Sequence, residues 1–299
     1  MPSQETPPTV QSLIGKKNLP FYLECLNSLT RLCHEEIHLL LHTDGSLTKK
    51  EMEFALNHLG TQSVRFHDTE QAKQVTLDHL AGRPNCQKLR KKSLWGIEFF
   101  DPLFSDPSDP ISYYVDADIL FVRPFTGLFD DSVVKDGAVF LRDTQWDAYS
   151  LRPWQLLGRG LRPSIVEGIT TALVCWDKGA IDWDYLEWFL GQTEFHCIPE
   201  WVLPTAQAGL ARRCNAKVVS SVQLTNLYPN ATIVKETFGV HLLGSYRNEW
   251  RPKVKNYAKE MPKEQSPTKT CFEPCRPRGV IAYASKQAKR WINTRLDRW

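Results

Sequence analysis

Two aspartates, Asp116 and Asp118, flank a single alanine inside the run 111–124, ISYYVDADILFVRP. The residues on either side are largely β-branched or aromatic, the content of a buried strand. A carboxylate in low dielectric needs water, a cation or hydrogen-bond donors, so the pair belongs at a strand end where one of these can reach it. In extended chain, residues i and i+2 face the same way, which lets both carboxylates converge on one hard cation that prefers oxygen ligands. Such an ion keeps coordination positions free, and substrate phosphate oxygens commonly fill them. The plainer reading, acids on a solvated turn, suits an isolated Asp-x-Asp but fits poorly between YYV and ILFV.

A second set of reactive residues lies in 238–250, FGVHLLGSYRNEW. His241 offers an imidazole nitrogen, a common metal ligand when neutral. Gly244 and Arg247 follow it, and an arginine presents a planar, permanently charged fork to phosphate oxygens. A lone histidine in an apolar run is usually a core residue; its company with Asp-x-Asp is what points to a ligand. As a ligand, it would lose metal to protons below about 6.5, the ordinary histidine value.

The chain that must position these groups reads as alternating strands and helices. Residues 10–14, 37–42 and 63–67 have strand character, while 19–34 carries Leu23, Leu26, Leu29 and Leu32 at helical spacing and 48–59 continues as a second helix. That order predicts a parallel α/β sheet, whose ligands bind beyond the carboxyl ends of its strands. Asp44 stands at such an end, where it either holds a nucleotide ribose or base or closes an ordinary Asp-Gly turn. Residues 77–100 bring Lys88 and Lys92 ahead of a helical pattern, and 101–110, DPLFSDPSDP, reads as turn chemistry. Beyond the acidic run, 137–141 and 165–176 read as strands and 184–191 as a helix. A further helical stretch, 195–211, is entered at Pro199 and Glu200 and contains Gln207. Between them, 143–163 holds Trp146, Tyr149 and Trp154, which either stack on sugar faces or anchor the loop to the core.

The segment YYVDADILFVRPFTGLFD resembles the metal-binding segment of GT-A fold glycosyltransferases, and is most similar to that of glycosyltransferase family 8. The stretch 238–250 resembles the same family's His-x-x-Gly-x-x-Lys-Pro-Trp, with Arg247 in place of the lysine and Asn248-Glu249 in place of the proline. The resemblance implies an α/β fold of GT-A type, a Rossmann-like mixed sheet flanked by helices, in one main domain spanning 10–255. It implies a metal site of Asp116, Asp118 and His241 holding Mn2+ or Mg2+. It implies a donor site for a nucleotide sugar, UDP-sugar first, in which Arg247 touches the diphosphate, Gly244 keeps the motif's glycine, and Lys88 or Lys92 supplies the basic residue of the helix before the metal strand. Glu200 and Gln207 are the positions implied to face the anomeric carbon. Glu167-Gly168-Ile169 lacks the asparagine of the family's Asn-x-Gly-Val strand, which leaves the donor sugar open. The activity implied is retaining transfer of the sugar to a hydroxyl of a glycan, lipid-linked or protein acceptor, with no nucleic-acid partner. A metal-dependent nucleotidyltransferase and a non-catalytic nucleotide-sugar binding module are the alternatives.

Composition fits that class without selecting it. The 299 residues carry a net charge of +3, enough chain for a sizeable core. Charge is unevenly spread: residues 247–299 hold 14 Lys and Arg against 5 Asp and Glu, which suits acidic partners. Residues 1–9 read as a flexible start and 256–299 as a basic extension. Within it, 279–299 forms an amphipathic helix with Ala284, Ala288, Trp291, Ile292, Leu296 and Trp299 near one face, suited either to an anionic membrane surface or to the protein's own core. No leader pattern and no membrane-spanning apolar run occurs, so a cytoplasmic protein is expected, membrane-associated at most through that helix. The eight cysteines lie mostly in apolar contexts, and Cys271 and Cys275 are expected as free thiols rather than a zinc site.

Overall fold

Strand β1 (Thr9–Ile14) enters the sheet directly, and Pro20 opens helix α1 (Leu19–Leu32), where its missing N–H is one the first helical turn leaves unbonded anyway. The computed structural model of the protein describes residues 7–59, 63–145, 147–156, 163–260 and 266–296. Most of the expected flexible start, together with Trp146, Trp299 and the side chains of Trp291 and Leu296, lies outside the described residues. After α1 come β2 (His38–Thr43), α2 (Lys49–Leu59) and β3 (Val64–Phe66), as the alternation predicted. Three helices then follow: α3 (Thr69–His79), α4 (Pro84–Lys92) and α5 (Leu94–Phe104). The first was not expected from periodicity; Asp68 caps it by accepting from the Gln71 amide at 2.7 Å. The start of 101–110 is also helical rather than turn, because α5 continues through Pro102 while the buried Asp101 carboxylate pairs with Arg90 of α4 at 2.5 and 2.7 Å.

The second half supplies β4 (Ile111–Val115), β5 (Ile119–Phe121), β6 (Phe125–Thr126), the short α6 (Asp131–Val134), β7 (Gly137–Arg142), β8 (Ile169–Asp177), α7 (Trp183–Gly191), α8 (Val202–Ala211), β9 (Asn215–Val219), β10 (Leu224–Asn226), β11 (Gly239–His241) and α9 (Arg247–Glu260). Last come β12 (Thr268–Lys269), β13 (Phe272–Pro274) and α10 (Val280–Leu296). The main sheet has the order β13-β9-β7-β8-β4-β1-β2-β3, with β1, β2, β3 and β4 parallel and β8 antiparallel to both β4 and β7. A small sheet, β10-β11-β5, stands beside it.

Both faces of the main sheet are covered, so its central strands bury residues on both sides and carry apolar residues in runs rather than only at alternate positions. Ala138, Phe140, Val174 and Trp176 point to the side packed by α5, α7 and α8, while Val139, Leu141, Leu173 and Cys175 point to the side of Phe121, Phe125 and Phe238. On the β1-β2 flank, Leu23 and Leu26 of α1 and Ala55 of α2 close over Ile14, Leu39 and Leu41.

The basic extension is built into this body. Strand β13 forms an edge of the main sheet, and α10 docks through Tyr283, which is 0% exposed and donates its hydroxyl to the Leu151 carbonyl at 2.7 Å. Around it, Gln287 donates to the Asp147 carbonyl at 3.2 Å, and the Arg290 guanidinium lies 3.6 Å from the Trp201 ring centroid. The docking face is therefore centred on Tyr283, not on the Ala284–Ala288 line that apolar periodicity picks out; Ala288 is exposed, as are Ile281 and Ile292. Hydrogen bonds to the 147–151 segment fix the helix rotation, and spacing alone cannot see them. Among the described residues no helix is long and apolar enough to cross a membrane, and all eight cysteines are free.

Truncating Tyr283 to Ala should cost about 3–5 kcal/mol of stability, the range for a large aromatic lost from a core. Tyr283→Phe should cost only about 1 kcal/mol, one buried hydrogen bond. Urea unfolding measures both; equal midpoints for Tyr283→Ala and wild type would show that α10 adds nothing to the core.

Candidate active site

Strand β4 stops at Val115 and the chain turns before β5 starts at Ile119, so Asp116 and Asp118 occupy a turn. The Ile119 amide closes it by donating to the Asp116 carbonyl at 3.1 Å, and the Asp116 amide ties it to β8 by donating to the Ala172 carbonyl at 2.7 Å. The pair does stand at a strand end, but in a turn rather than in the extended chain read from the sequence. The i, i+2 alternation needs an unbroken pleat, whereas β4 belongs to the main sheet and β5 to the small one. The carboxylates still converge: Asp116, Asp118 and His241 offer ligand atoms that all lie within 4.8 Å of one another.

Sheet register delivers the histidine. Strand β11 runs antiparallel to β5 with His241 opposite Ile119, and parallel to β10 with His241 opposite Asn226. The Asn226 amide nitrogen donates to the Arg142 carbonyl at 3.0 Å, so its oxygen is the atom 2.7 Å from His241 Nδ1. That network places the ring proton on Nδ1 and turns Nε2 toward Asp118 Oδ1 at 3.2 Å. A neutral imidazole so held presents a lone pair to the carboxylates, the tautomer a cation would need.

Without a cation, the electrostatics favour protons on His241 and Asp116 in its place. Burial, then Glu98 and Asp118, push the Asp116 carboxyl well above the usual carboxylate range, although the Tyr114 hydroxyl donates to it at 2.8 Å. Burial would raise Asp118 too, but His241 and Arg247 outweigh it and hold its pKa below the ordinary value. Burial opposes the charged form of His241, yet Asp118 and Asp116 raise its pKa above the ordinary value. The cluster lacks positive charge, and its oxygen and nitrogen donors fit a divalent ion such as Mn2+ or Mg2+.

Arg247, at the start of α9, reaches Asp118 Oδ2 at 2.7 Å and rests 4.7 Å from the Phe21 ring centroid. Gly244 is exposed in the preceding turn, where a Cβ would meet no atom within 4 Å, so packing does not demand glycine there. Asp44 closes the turn after β2, its carboxylate accepting from the Ser46 amide at 2.9 Å; any side chain at Gly15 would strike that carboxylate. Lys88 and Lys92 are exposed on α4, and among the described residues no contact joins either to the cluster. Glu200 is exposed on a 3-10 turn, whereas Gln207 is 1% exposed in α8 with its side-chain oxygen unbonded. Of the loop aromatics, Tyr149 is core and Trp154 is exposed.

Two residues of this corner escaped the sequence reading. Asn226 gave no local signal, since its importance comes from the strand laid beside it. Glu98 did leave one: α5 is apolar on most sides yet carries two acids, and among the described residues only Asp101 has a cation of its own, Arg90. Glu98 instead lines a narrow cavity with Tyr114, Thr171, Trp176 and Gln207, and burial pushes its carboxyl up to about 8 despite the Thr171 hydroxyl beside it, Asp118 adding to the rise. A surface hollow of about 490 Å³ lies elsewhere, between α4 and α7 around Asn85, Glu187 and Trp188, and holds none of the expected site residues.

No protein-family model matches the chain, and no curated protein matches it in sequence. Solved structures do match in shape. The galactosyltransferase LgtC, bound to donor and acceptor sugar analogs, aligns with a TM-score of 0.55 over 86% of this chain and 98% of its own, at 12% identity. This chain has a GT-A glycosyltransferase fold. An active-site mutant of LgtC gives the same score and identity over 85% of this chain, and mouse xyloside xylosyltransferase 1 in its apo form gives 0.53 at 13% identity, covering 89% of this chain and 97% of that one. Within the GT-A fold, the turn carrying Asp116 and Asp118 and the strand carrying His241 are where two separate sheets meet.

Because Asp118 and Asp116 raise the His241 pKa, protons should compete with Mn2+ from above pH 6.5, higher than an unperturbed histidine would suggest. Metal affinity should fall as pH drops through that raised value, and His241→Ala should flatten the profile. Asn226→Ala should weaken Mn2+ binding by about 10–100-fold, the usual cost of losing a partner that orients a ligating histidine. Calorimetric Mn2+ titrations from pH 5.5 to 8 test both, and identical profiles in wild type and His241→Ala would remove His241 from the metal.

Proposed function

We propose that this protein is a metal-dependent glycosyltransferase that moves a sugar from a nucleotide diphosphate sugar, a UDP-sugar in the first instance, to an acceptor hydroxyl. The observation that carries this reading is the convergence of Asp116, Asp118 and the Nε2 of His241 on one point of a GT-A fold. These three residues would hold Mn2+ or Mg2+, which when bound supplies positive charge for the diphosphate as it departs.

The chain's own groups do the rest. Arg247 is the diphosphate residue, ahead of Lys88 and Lys92, because it already touches Asp118 and is braced by Phe21. Its guanidinium stays charged throughout the reaction and can exchange a carboxylate for phosphate oxygens. Gln207 is favoured over the exposed Glu200 to face the anomeric carbon, since its oxygen is buried and unbonded beside Tyr114 and Thr171. Asp44 and Gly15, at the ends of the adjacent parallel strands β1 and β2, lie where a nucleotide binds in open α/β sheets. Retention of anomeric configuration follows the family 8 likeness, and the acceptor is a glycan, lipid-linked or protein hydroxyl.

With saturating Mn2+, UDP should stabilise the wild type by about 2.7 kcal/mol at a hundred times its Kd. Asp116→Asn and Asp118→Asn should abolish that stabilisation. Arg247→Ala should part the two ligands: Mn2+ alone binds no worse, since a cation next to Asp118 is gone, while UDP with Mn2+ binds about tenfold or more weakly. Thermal shifts read all of these, and a manganese-dependent response that survives in both aspartate variants would sink the reading.

A further inference from the structure

The cavity beside the Asp116–Asp118 turn offers more hydrogen bonds than the protein uses. Its walls include Glu98, Tyr114, Thr171, Trp176 and Gln207, and the space has room for about one water molecule or one hydroxyl group. Two groups there are unmatched. Trp176 and Gln207 are each 1% exposed, and the indole N–H of one and the amide oxygen of the other have no hydrogen-bond partner. The first can only donate and the second only accept. Glu98 adds a carboxyl from α5 with the Thr171 hydroxyl beside it, and Tyr114 links the cavity to the metal corner through its bond to Asp116.

One functional group complements this set. An alcohol donates once and accepts twice, so a single hydroxyl can satisfy the indole N–H, and either the amide oxygen or the carboxyl, at the same time. An acetamido group needs more room than the cavity gives. Leaving a buried donor and a buried acceptor unpaired is costly, which argues for an occupant.

We propose that Glu98 and Trp176, opposite Gln207, form a subsite that selects the transferred sugar by one inward-facing free hydroxyl. This rests on the glycosyltransferase reading above. Glu98 is then a specificity residue: it touches the sugar and not the diphosphate, and it discriminates against a donor that lacks the hydroxyl or carries a larger substituent there.

The test compares Mn2+-supported binding of UDP with that of UDP-glucose, UDP-galactose, UDP-xylose and UDP-N-acetylglucosamine, by calorimetry on the full chain. At least one unsubstituted sugar should bind about tenfold or more tightly than UDP in the wild type. Glu98→Leu, which keeps the volume but removes every polar atom, and Trp176→Phe should each lose that gain while keeping UDP affinity within about twofold, because UDP does not reach the subsite. Should Trp176→Phe misfold, Glu98→Leu decides alone. Retention of the full sugar gain in Glu98→Leu would overturn the subsite and leave the glycosyltransferase reading standing. If the wild type binds neither UDP nor any of these sugars with Mn2+, both fail.

Discussion

Two carboxyl groups, Asp116 and Asp118, share one partly buried corner beside that of Glu98, which burial pushes up to about 8 and so keeps largely neutral, and the surroundings are arranged to supply the positive charge and hydrogen-bond donors the pair requires. Arg247 and His241 approach Asp118, and the Tyr114 hydroxyl approaches Asp116. Desolvated carboxylates that lack such partners take up protons or destabilise the fold. The corner thus holds an electrostatic deficit that a divalent cation would relieve, and the neighbouring elements are where they must be for that to happen.

The deficit could not be assembled from one strand. It depends on the chain leaving the main sheet after Val115 and pairing β5 with β11, because that exchange puts His241 across from Ile119 and within reach of Asp118. Strand β10 then lies parallel on the far side of β11, bringing Asn226 to His241 and fixing its tautomer. Glycine is needed where β8 begins: Gly168 has φ +43, and a Cβ there would lie 2.4 Å from the Asp143 carbonyl oxygen. That close approach seats β8, and with it Ala172, which bonds the Asp116 amide, and Thr171, which faces Glu98.

The C-terminal part closes the structure around Asp147, whose carboxylate also accepts from the Gly168 amide. Asp147, its side chain 0% exposed, is paired with Arg278 at 2.5 Å and with Lys286 at 3.4 Å, while Arg278 and Arg142 both reach Glu167. Removing one partner from such a buried network is far more damaging than its net contribution to stability suggests, since a charge is left unpaired. The positive charge that looks in the sequence like an excess for outside partners is, at Arg278, Lys286 and Arg290, turned inward.

Local information in the sequence determined the strand and helix alternation, the Asp-x-Asp between apolar runs, and the His241–Arg247 spacing, because side-chain periodicity and motif chemistry are short-range properties. The same information read the carboxylates as extended chain with no turn between them, and put the apolar face of α10 on a line through Ala284, Ala288 and Ile292, of which Ala288 and Ile292 are exposed. Both readings failed for one reason: whether a strand continues, or which side of a helix docks, depends on hydrogen-bond partners far away in the chain, here β11 for β5 and the 147–151 segment for Tyr283 and Gln287. Asn226 and Glu98 were hidden for that reason too, since neither has a role until tertiary packing sets it beside His241 or the Asp116 turn. The sequence by itself determined which groups could bind a cation and a diphosphate. Only the tertiary structure decided that they meet, since burial and register set the charge balance, and neither is a property of neighbouring residues.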